Sequence, residues 1–261
     1  MQIVYVATGK SFVQEAISSG LQLRACSQVS SLSLYTDQFS FTEYSTHIQS
    51  IFDYVCVLDS PSFSYRDKIV GIQQALTKFE SFLFLDTDTF VLHDIHFLHL
   101  DSYFDFAACH APVRIPQGCE QLDVPPYFPE MNSGVMFFRS GLLVNQLVTY
   151  WLERYDLAYR LYSHHWDQYS LRASLWYFSS VYHLKIHTLP PEFNLRLTKP
   201  WIVGKGLPVY IIHGRISPVE LSLLSDYLNN DIYRFRTWFE WKSLYPSTSL
   251  SLKIPYDPFL S

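Results

Sequence analysis

The sequence predicts an α/β fold in which a mainly parallel β-sheet is flanked by helices. Runs of β-branched and aromatic residues, such as Ile3–Ala7, Tyr54–Leu58 and Phe82–Leu85, have the length of strands. They alternate with longer amphipathic segments, which is the pattern of β-α-β units. Of the 261 residues, 48% are hydrophobic and 16% are charged, so the chain can bury a sizeable core.

The first elements follow the Ile3–Ala7 strand. Ser11 stands where a helix N-cap belongs and Gln14 stands at the capping-box position, so a helix is predicted to about Leu23. A second strand is predicted at Ser33–Tyr35. We expect one domain over residues 1–261, because no repeat, low-complexity tract or linker interrupts the chain.

The centre of the chain continues the alternation. Apolar residues recur at helical spacing in Tyr65–Phe79, and Phe104–Cys109 is a further strand candidate. Residues 111–129 contain five prolines and predict a long loop, and long loops inside compact domains are often functional. Residues 132–134, Asn-Ser-Gly, are the predicted entry to the next strand.

The C-terminal half is predicted to be mostly helical. Helices are expected at Leu142–Tyr162 and Asp167–Phe178, and a late strand at Val209–His213. One or two helices are expected over 217–239, within a helical tail of about 217–261.

Composition excludes several classes of function. The net charge is −5 without blocks of like charge, which argues against a nucleic-acid partner. The sequence lacks the run of about 20 apolar residues that a transmembrane helix needs. Its first ten residues have the pattern of a strand rather than of a signal peptide. The cysteines Cys26, Cys56, Cys109 and Cys119 form no CxxC pair, so free thiols are expected. We therefore expect a cytoplasmic protein, with peripheral contact to a membrane left open.

Two carboxylates interrupt the apolar stretch FLFLDTDTFV. Asp86 and Asp88 follow the predicted Phe82–Leu85 strand, and ligand sites of parallel sheets lie at the carboxyl ends of strands. In an extended chain, residues two apart point the same way, so both carboxylates can converge on one point. They would repel each other unless a cation lay between them, and oxygen ligands suit Mg²⁺ or Mn²⁺. Such a cation would hold a diphosphate.

Three reactions use this arrangement: glycosyl transfer from a nucleotide sugar, nucleotidyl transfer, and phosphate-ester hydrolysis by an aspartyl nucleophile. Nucleotidyl transfer is disfavoured because the first turn, ATGKSF, carries Gly9 alone instead of a glycine-rich phosphate loop. Hydrolysis is disfavoured because the motif lies on a late strand and no Asp-Asp pair follows it. A relative that binds a sugar nucleotide or carbohydrate without transferring it is the remaining alternative.

Several motifs, in this order, resemble glycosyltransferase family 8, the GT-A-fold group that includes glycogenin and bacterial lipopolysaccharide galactosyltransferases. They are YVATG at the first strand, FLFLDTDTFV, NSGV from Asn132, Asp167-Gln168, PEFN and a final IIHG. The resemblance spans Ile3 to about His213 and implies a GT-A-type, Rossmann-like fold. It also implies that Asp86, Asp88 and His213 bind a metal ion, and imidazole suits Mn²⁺ better than Mg²⁺.

The resemblance further implies a donor site. Lys68 is the first candidate for the basic residue that reaches the donor, and Arg66 is the second. Family members often follow the histidine with Gly and then Lys-Pro-Trp, whereas this chain continues Gly214-Arg215, so Arg215 is expected to serve instead. The implied nucleotide-sugar-binding residues are Ala7, Thr8, Arg66, Lys68, Thr87 and Arg215.

Asp167, Gln168 and Asn132 are the implied catalytic residues. The expected reaction moves a sugar from a nucleotide-diphosphate donor, a UDP-sugar by resemblance, to an acceptor hydroxyl with retention of configuration. The acceptor, whether glycan, lipid or protein, is not specified. His93, His96 and His99 could form a separate metal site, but we expect ordinary surface or core histidines there.

Overall fold

A computed structural model describes residues 1–28, 31–60, 64–95, 103–111, 124–197 and 204–233. Several features predicted above lie outside these ranges: Cys119, His96, His99, residues 112–123 of the proline-rich loop, and the tail after residue 233. Within the described part of the chain, no helix is both long and apolar enough to cross a bilayer.

Strands and helices alternate as the sequence predicts. The strands are β1 (Gln2–Ala7), β2 (Ser31–Asp37), β3 (Tyr54–Leu58), β4 (Ser81–Leu85), β5 (Thr89–Val91), β6 (Phe106–His110), β7 (Met131–Arg139), β8 (Ile186–Leu189), β9 (Leu195–Arg196) and β10 (Ile211–His213). The helices are α1 (Lys10–Cys26), α2 (Gln38–Ile51), α3 (Tyr65–Lys78), α4 (Leu142–Tyr162), α5 (Asp167–Tyr182) and α6 (Pro218–Asn229).

The main sheet has seven strands in the order β3-β2-β1-β4-β7-β6-β8. Strands β1 to β4 run parallel to one another, and β8 runs parallel to β6. Only β7 opposes its neighbours, because it pairs antiparallel with both β4 and β6. The expectation of a mainly parallel α/β sheet is confirmed.

A second sheet is small and is made from distant parts of the chain. Its order is β5-β10-β9, with β10 antiparallel to β5 and parallel to β9. His213, the last residue of β10, is paired in register with Thr89 on one side and Arg196 on the other. This sheet therefore brings the end of β10 beside the turn that follows β4.

Both faces of the main sheet are buried, because successive side chains of its central strands point to opposite faces. Val4 and Phe84 pack on the face covered by α3, α4 and α5, where Trp151 is fully buried. Tyr5 and Leu85 pack on the face covered by α1 and α2. This double burial explains why the strands read as continuous apolar runs.

The first helix does not begin as the sequence predicted. Its N-cap is Gly9 rather than Ser11, no side chain caps it, and it extends to Cys26 rather than Leu23. Gly9 has φ 87°, a left-handed conformation that glycine adopts without strain. Its N–H donates to Asp37 Oδ2 at 2.7 Å, so the chain turns at Gly9, two residues before Ser11.

Other boundaries also moved for identifiable reasons. Helix α2 was not predicted; it starts because Asp37 accepts from the Ser40 N–H at 2.8 Å as an N-cap. Residues 132–134 lie inside β7 rather than at its entry. Strand β10 starts at Ile211, not Val209, because the Val209 N–H donates to the Asn229 side chain instead of to a strand.

Candidate active site at the ends of β4 and β10

Asp86, Asp88 and His213 converge at the carboxyl end of β4, as the motifs predict. One ligand atom from each lies within 4.8 Å of the others. His213 Nε2 is 3.4 Å from Asp88 Oδ1 and 3.8 Å from Asp86 Oδ2. The backbone fixes both aspartates, because the Asp86 N–H donates to the Gly134 carbonyl and the Asp88 carbonyl accepts from the Gly214 N–H, each at 2.8 Å.

Gly134 on β7 makes room for this cluster. A Cβ at this position would lie 2.0 Å from His213 Cε1 and 3.0 Å from Asp86 Oδ2. No side chain fits there while the imidazole keeps its place. The glycine of the Asn-Ser-Gly motif is therefore required by the close approach of His213, not by a turn.

The two carboxylates are electrostatically different. Burial raises the pKa of Asp86, and Lys68 and His213 oppose that rise. Burial would also raise the pKa of Asp88, but the charge and hydrogen bond of His213 outweigh it and lower the pKa. Two carboxylate oxygens and one imidazole nitrogen form a donor set that fits a divalent cation such as Mn²⁺ or Mg²⁺.

Lys68 links the carboxylate pair to the start of α5. Its Nζ lies 2.9 Å from Asp86 Oδ1 and 3.0 Å from Asp167 Oδ2, and it donates to Ser133 Oγ at 3.3 Å. Burial alone would lower the pKa of Lys68, but Asp167 and Asp86 outweigh burial and raise it. The ammonium group is thus held charged between two carboxylates at the site.

The start of α3 places Lys68. Ser64 and Asp67 form a capping box there, and Asp67 also accepts from Thr8 Oγ1 at 2.8 Å. The turn after β1 is thereby tied to the helix that carries Lys68. Arg66, the second basic candidate, instead pairs with Asp156 of α4 at 2.9 Å and is half-exposed.

The three implied catalytic residues are buried together. Asp167 is the first residue of α5, and Gln168 follows it. Asn132 Nδ2 donates to Gln168 Oε1 at 2.9 Å, and Asn132 Oδ1 accepts from the Gly134 N–H at 3.0 Å. Strand β7 and helix α5 are thus joined by polar side chains beside the Asp86–Asp88–His213 cluster.

Thr87 and Arg215 meet at a residue that the sequence did not point to. Glu15 of α1 accepts from Thr87 Oγ1 at 2.8 Å and from Arg215 Nε at 2.6 Å. The turn between Asp86 and Asp88 is therefore attached to α1 and to the segment after β10. Ala7 and Thr8, the other implied donor residues, are buried at the end of β1.

Sequence reasoning assigned no role to three further residues around the cluster, although Asn194 belongs to the PEFN motif quoted above. Glu130 and Asn194 are buried at 2% and 1% exposure and bond to the implied catalytic amides. Arg196, the register partner of His213, has a pKa lowered by burial, an effect that Asp88 and Asp86 oppose. A carboxylate directly before an apolar strand was the available signal for Glu130.

The segment before β7 is fastened to α5. Buried Arg172, one helical turn after Gln168, donates to the carbonyls of Pro125 and Phe128, both at 2.8 Å. Gln168 also donates to Glu130. Residues 125–130 are therefore held by two successive turns of α5.

With this geometry established, comparison with solved structures identifies the fold as that of GT-A glycosyltransferases. The galactosyltransferase LgtC, in complex with donor and acceptor sugar analogs, superposes with a TM-score of 0.58 at 13% identity over 93% of this chain and 99% of that chain. Mouse xyloside xylosyltransferase 1 superposes with a TM-score of 0.55 at 15% identity over 82% and 98%.

The glycosyltransferase GlyE of Streptococcus pneumoniae gives a TM-score of 0.56 at 16% identity, over 83% of this chain and 55% of that chain. No protein-family description matches the sequence, and no curated protein sequence matches it significantly. The similarity at these identities is therefore one of fold.

Proposed function

We propose that this protein is a metal-dependent glycosyltransferase that moves a sugar from a nucleotide-diphosphate donor, a UDP-sugar, to an acceptor hydroxyl with retention. The observation that carries the proposal is the convergence of Asp86, Asp88 and His213 within 4.8 Å at the carboxyl end of a GT-A sheet. Ligands of open α/β sheets bind at this edge.

Asp86, Asp88 and His213 would hold the cation, Mn²⁺ or Mg²⁺. When bound, the cation would neutralise charge that develops on the departing diphosphate. Lys68 lies beside the same carboxylates and presents a second positive charge toward this position. A lysine acts on phosphate oxygens as a point charge.

Asp167, Gln168 and Asn132 would position the donor sugar. All three are buried, so their side chains are held by packing rather than free in solvent. Asp167 pairs with Lys68, and Asn132 bonds to both Gly134 and Gln168. Rigid positioning of sugar and acceptor removes much of the entropic barrier to reaction. If a covalent intermediate formed, Asp167 would be the nucleophile; we favour attack on the leaving-group face, with Asp167 only positioning the sugar.

The nucleotide would occupy the ends of β1 and β4, against Ala7, Thr8 and Thr87. Support for this placement comes from the tie between Thr8 and the helix that carries Lys68. Arg215 lies in the segment after β10 and would reach the diphosphate from there. Its guanidinium group would either leave Glu15 or contact Glu15 and the diphosphate together. Arg66 remains a weaker candidate because Asp156 already holds it.

The first experiment is a thermal-shift screen of UDP, GDP, CDP and ADP, each with and without Mn²⁺. A ligand that binds only the folded protein raises the unfolding midpoint by mass action. We expect stabilisation by UDP that requires Mn²⁺, is lost in Asp88→Ala and is retained in Glu153→Gln, which changes an exposed carboxylate on α4. No shift with any nucleotide would refute the donor-site proposal.

A second assay separates transfer from binding. Release of UDP from UDP-sugars is measured with Mn²⁺ present, with and without candidate acceptors. We expect slow Mn²⁺-dependent donor hydrolysis that Asp167→Ala abolishes. Donor binding without any hydrolysis or transfer would instead indicate a non-catalytic sugar-nucleotide binder.

A further inference from the structure

A chain of hydrogen bonds runs from a buried carboxylate to the metal-ligand histidine. Gln168 Nε2 donates to Glu130 Oε1, and Asn132 Nδ2 donates to Gln168 Oε1 at 2.9 Å. Asn194 Nδ2 donates to Asn132 Oδ1 at 2.7 Å, and Asn194 Oδ1 lies 2.9 Å from His213 Nδ1. All five side chains belong to residues no more than 8% exposed.

The direction of every bond in this chain follows from the Gly134 N–H, which can only donate. The Gly134 N–H is a donor only, so the Asn132 atom that faces it must be Oδ1. The same oxygen faces Asn194, which must therefore present Nδ2 to it and Oδ1 to His213. Asn132 presents Nδ2 to Gln168 and so faces its Oε1, which leaves Gln168 Nε2 to donate to Glu130.

We infer that this relay sets the tautomer of His213 and that Glu130 and Asn194 are positioning residues for the metal site. Because Asn194 presents an oxygen, His213 Nδ1 must carry the proton. In the neutral ring, Nε2 then holds a free lone pair. That nitrogen is the one that faces Asp88 and Asp86.

The relay thus supplies the tautomer that a metal ligand needs. Metal-binding histidines depend on a partner for the other ring nitrogen, and loss of such a partner commonly weakens metal binding by about 10- to 100-fold. Here the partner is reached through the amides of Asn132 and Gln168, which we place beside the donor sugar. This inference rests on the metal site of the proposed function, but not on the nucleotide or the sugar.

The first test reads the tautomer directly in the metal-free protein. Long-range ¹H–¹⁵N correlation spectra of the ¹⁵N-labelled chain are recorded at pH 8, and the His213 signals are assigned by their loss in His213→Gln. We expect a proton on Nδ1, whether or not the carboxylates that face Nε2 also hold a proton there. A ring protonated on Nε2 alone would overturn the inference.

The second test measures binding of Mn²⁺ alone by titration calorimetry. Asn194→Ala should weaken Mn²⁺ binding about 10- to 100-fold and give mixed His213 tautomers. Glu130→Ala should weaken it by a smaller factor, and Glu130→Gln, which keeps an acceptor for Gln168, should restore it. The matched control Asn145→Ala removes an amide of α4 that, within the described part of the chain, bonds to the Gly141 carbonyl, and it should leave Mn²⁺ affinity unchanged.

The two sets of results separate the proposals. Unaltered Mn²⁺ affinity in a folded Asn194→Ala variant would overturn the relay even if UDP binds. A correct tautomer without any nucleotide binding would refute the proposed function and leave the relay standing. If the variants fail to fold, the protonation of His213 Nδ1 in the unaltered protein still tests the inference.

Discussion

Substitution of Gly134 by alanine is the sharpest perturbation of the site that the structure offers. The new Cβ would lie 2.0 Å from His213 Cε1 and 2.5 Å from Nδ1. An ordinary contact between the new Cβ and His213 Cε1 is about 3.4 Å, so the imidazole must move away by about 1.4 Å. Metal-ligand distances tolerate deviations of only about 0.2 Å. The alanine variant should therefore lose His213 as a ligand.

The expected loss of Mn²⁺ affinity is at least about tenfold, since even loss of an outer-shell partner costs about 10- to 100-fold. Overpacking should also lower the free energy of unfolding by about 1–3 kcal/mol. Calorimetric titration with Mn²⁺ gives the affinity, and urea denaturation monitored by circular dichroism gives the stability and confirms that the variant is folded.

Gly141→Ala is the matched control. A Cβ at Gly141 meets nothing within 4 Å, and its φ of 172° is extended backbone that any residue adopts. It precedes α4, so a small loss of stability is expected there without any change in Mn²⁺ affinity. The reasoning is refuted if a folded Gly134→Ala variant binds Mn²⁺ within twofold of the unaltered protein.

Two further substitutions test other parts of the site. Lys68→Met leaves Asp86 and Asp167 without their shared ammonium group, so unfolding free energy should fall by about 1–3 kcal/mol. Added Mn²⁺ should offset part of that loss in urea denaturation; an equal loss with and without Mn²⁺ would contradict the shared role. Asp37→Ala removes the acceptor of the Gly9 N–H and the cap of α2, and should cost about 1–2 kcal/mol near pH 7. Burial would raise the pKa of Asp37, but its backbone hydrogen bonds lower it, so this stabilisation is present above about pH 4 and is lost as pH falls through the lowered pKa. Denaturation curves of the variant and the unaltered protein should converge toward pH 2, and a constant difference would contradict this assignment.

The convergence of Asp86, Asp88 and His213 could be predicted from the sequence because its signals are local. Asp86 and Asp88 stand two residues apart at the end of an apolar strand, and His213 ends another. The resemblance supplied the pairing of these two strand ends. Lys68 was also anticipated, but its bridge to Asp167 depends on how α3 and α5 pack and has no signature in either segment.

The rest of the site could not be predicted because its partners are far apart in the chain. Glu130 and Asn194 acquire their roles only through contacts with Gln168 and Asn132, and neither contact leaves a periodic pattern. The sequence predicted Gly134 to be part of a strand entry. In the structure, its lack of a side chain leaves room for the imidazole of His213 on β10.

The small sheet determines when, during folding, the Asp86–Asp88–His213 cluster is assembled. Strand β5 lies in the first half of the chain, and its partner β10 is followed by only one described helix. Such long-range pairing closes late in folding, because the loop-closure entropy must be overcome first. His213 ends β10 and joins Asp86 and Asp88 when this pairing forms, so a chain still emerging from the ribosome presents an incomplete cluster. In refolding experiments, Mn²⁺ binding is therefore expected to appear when β10 pairs with β5, after most of the helices have formed.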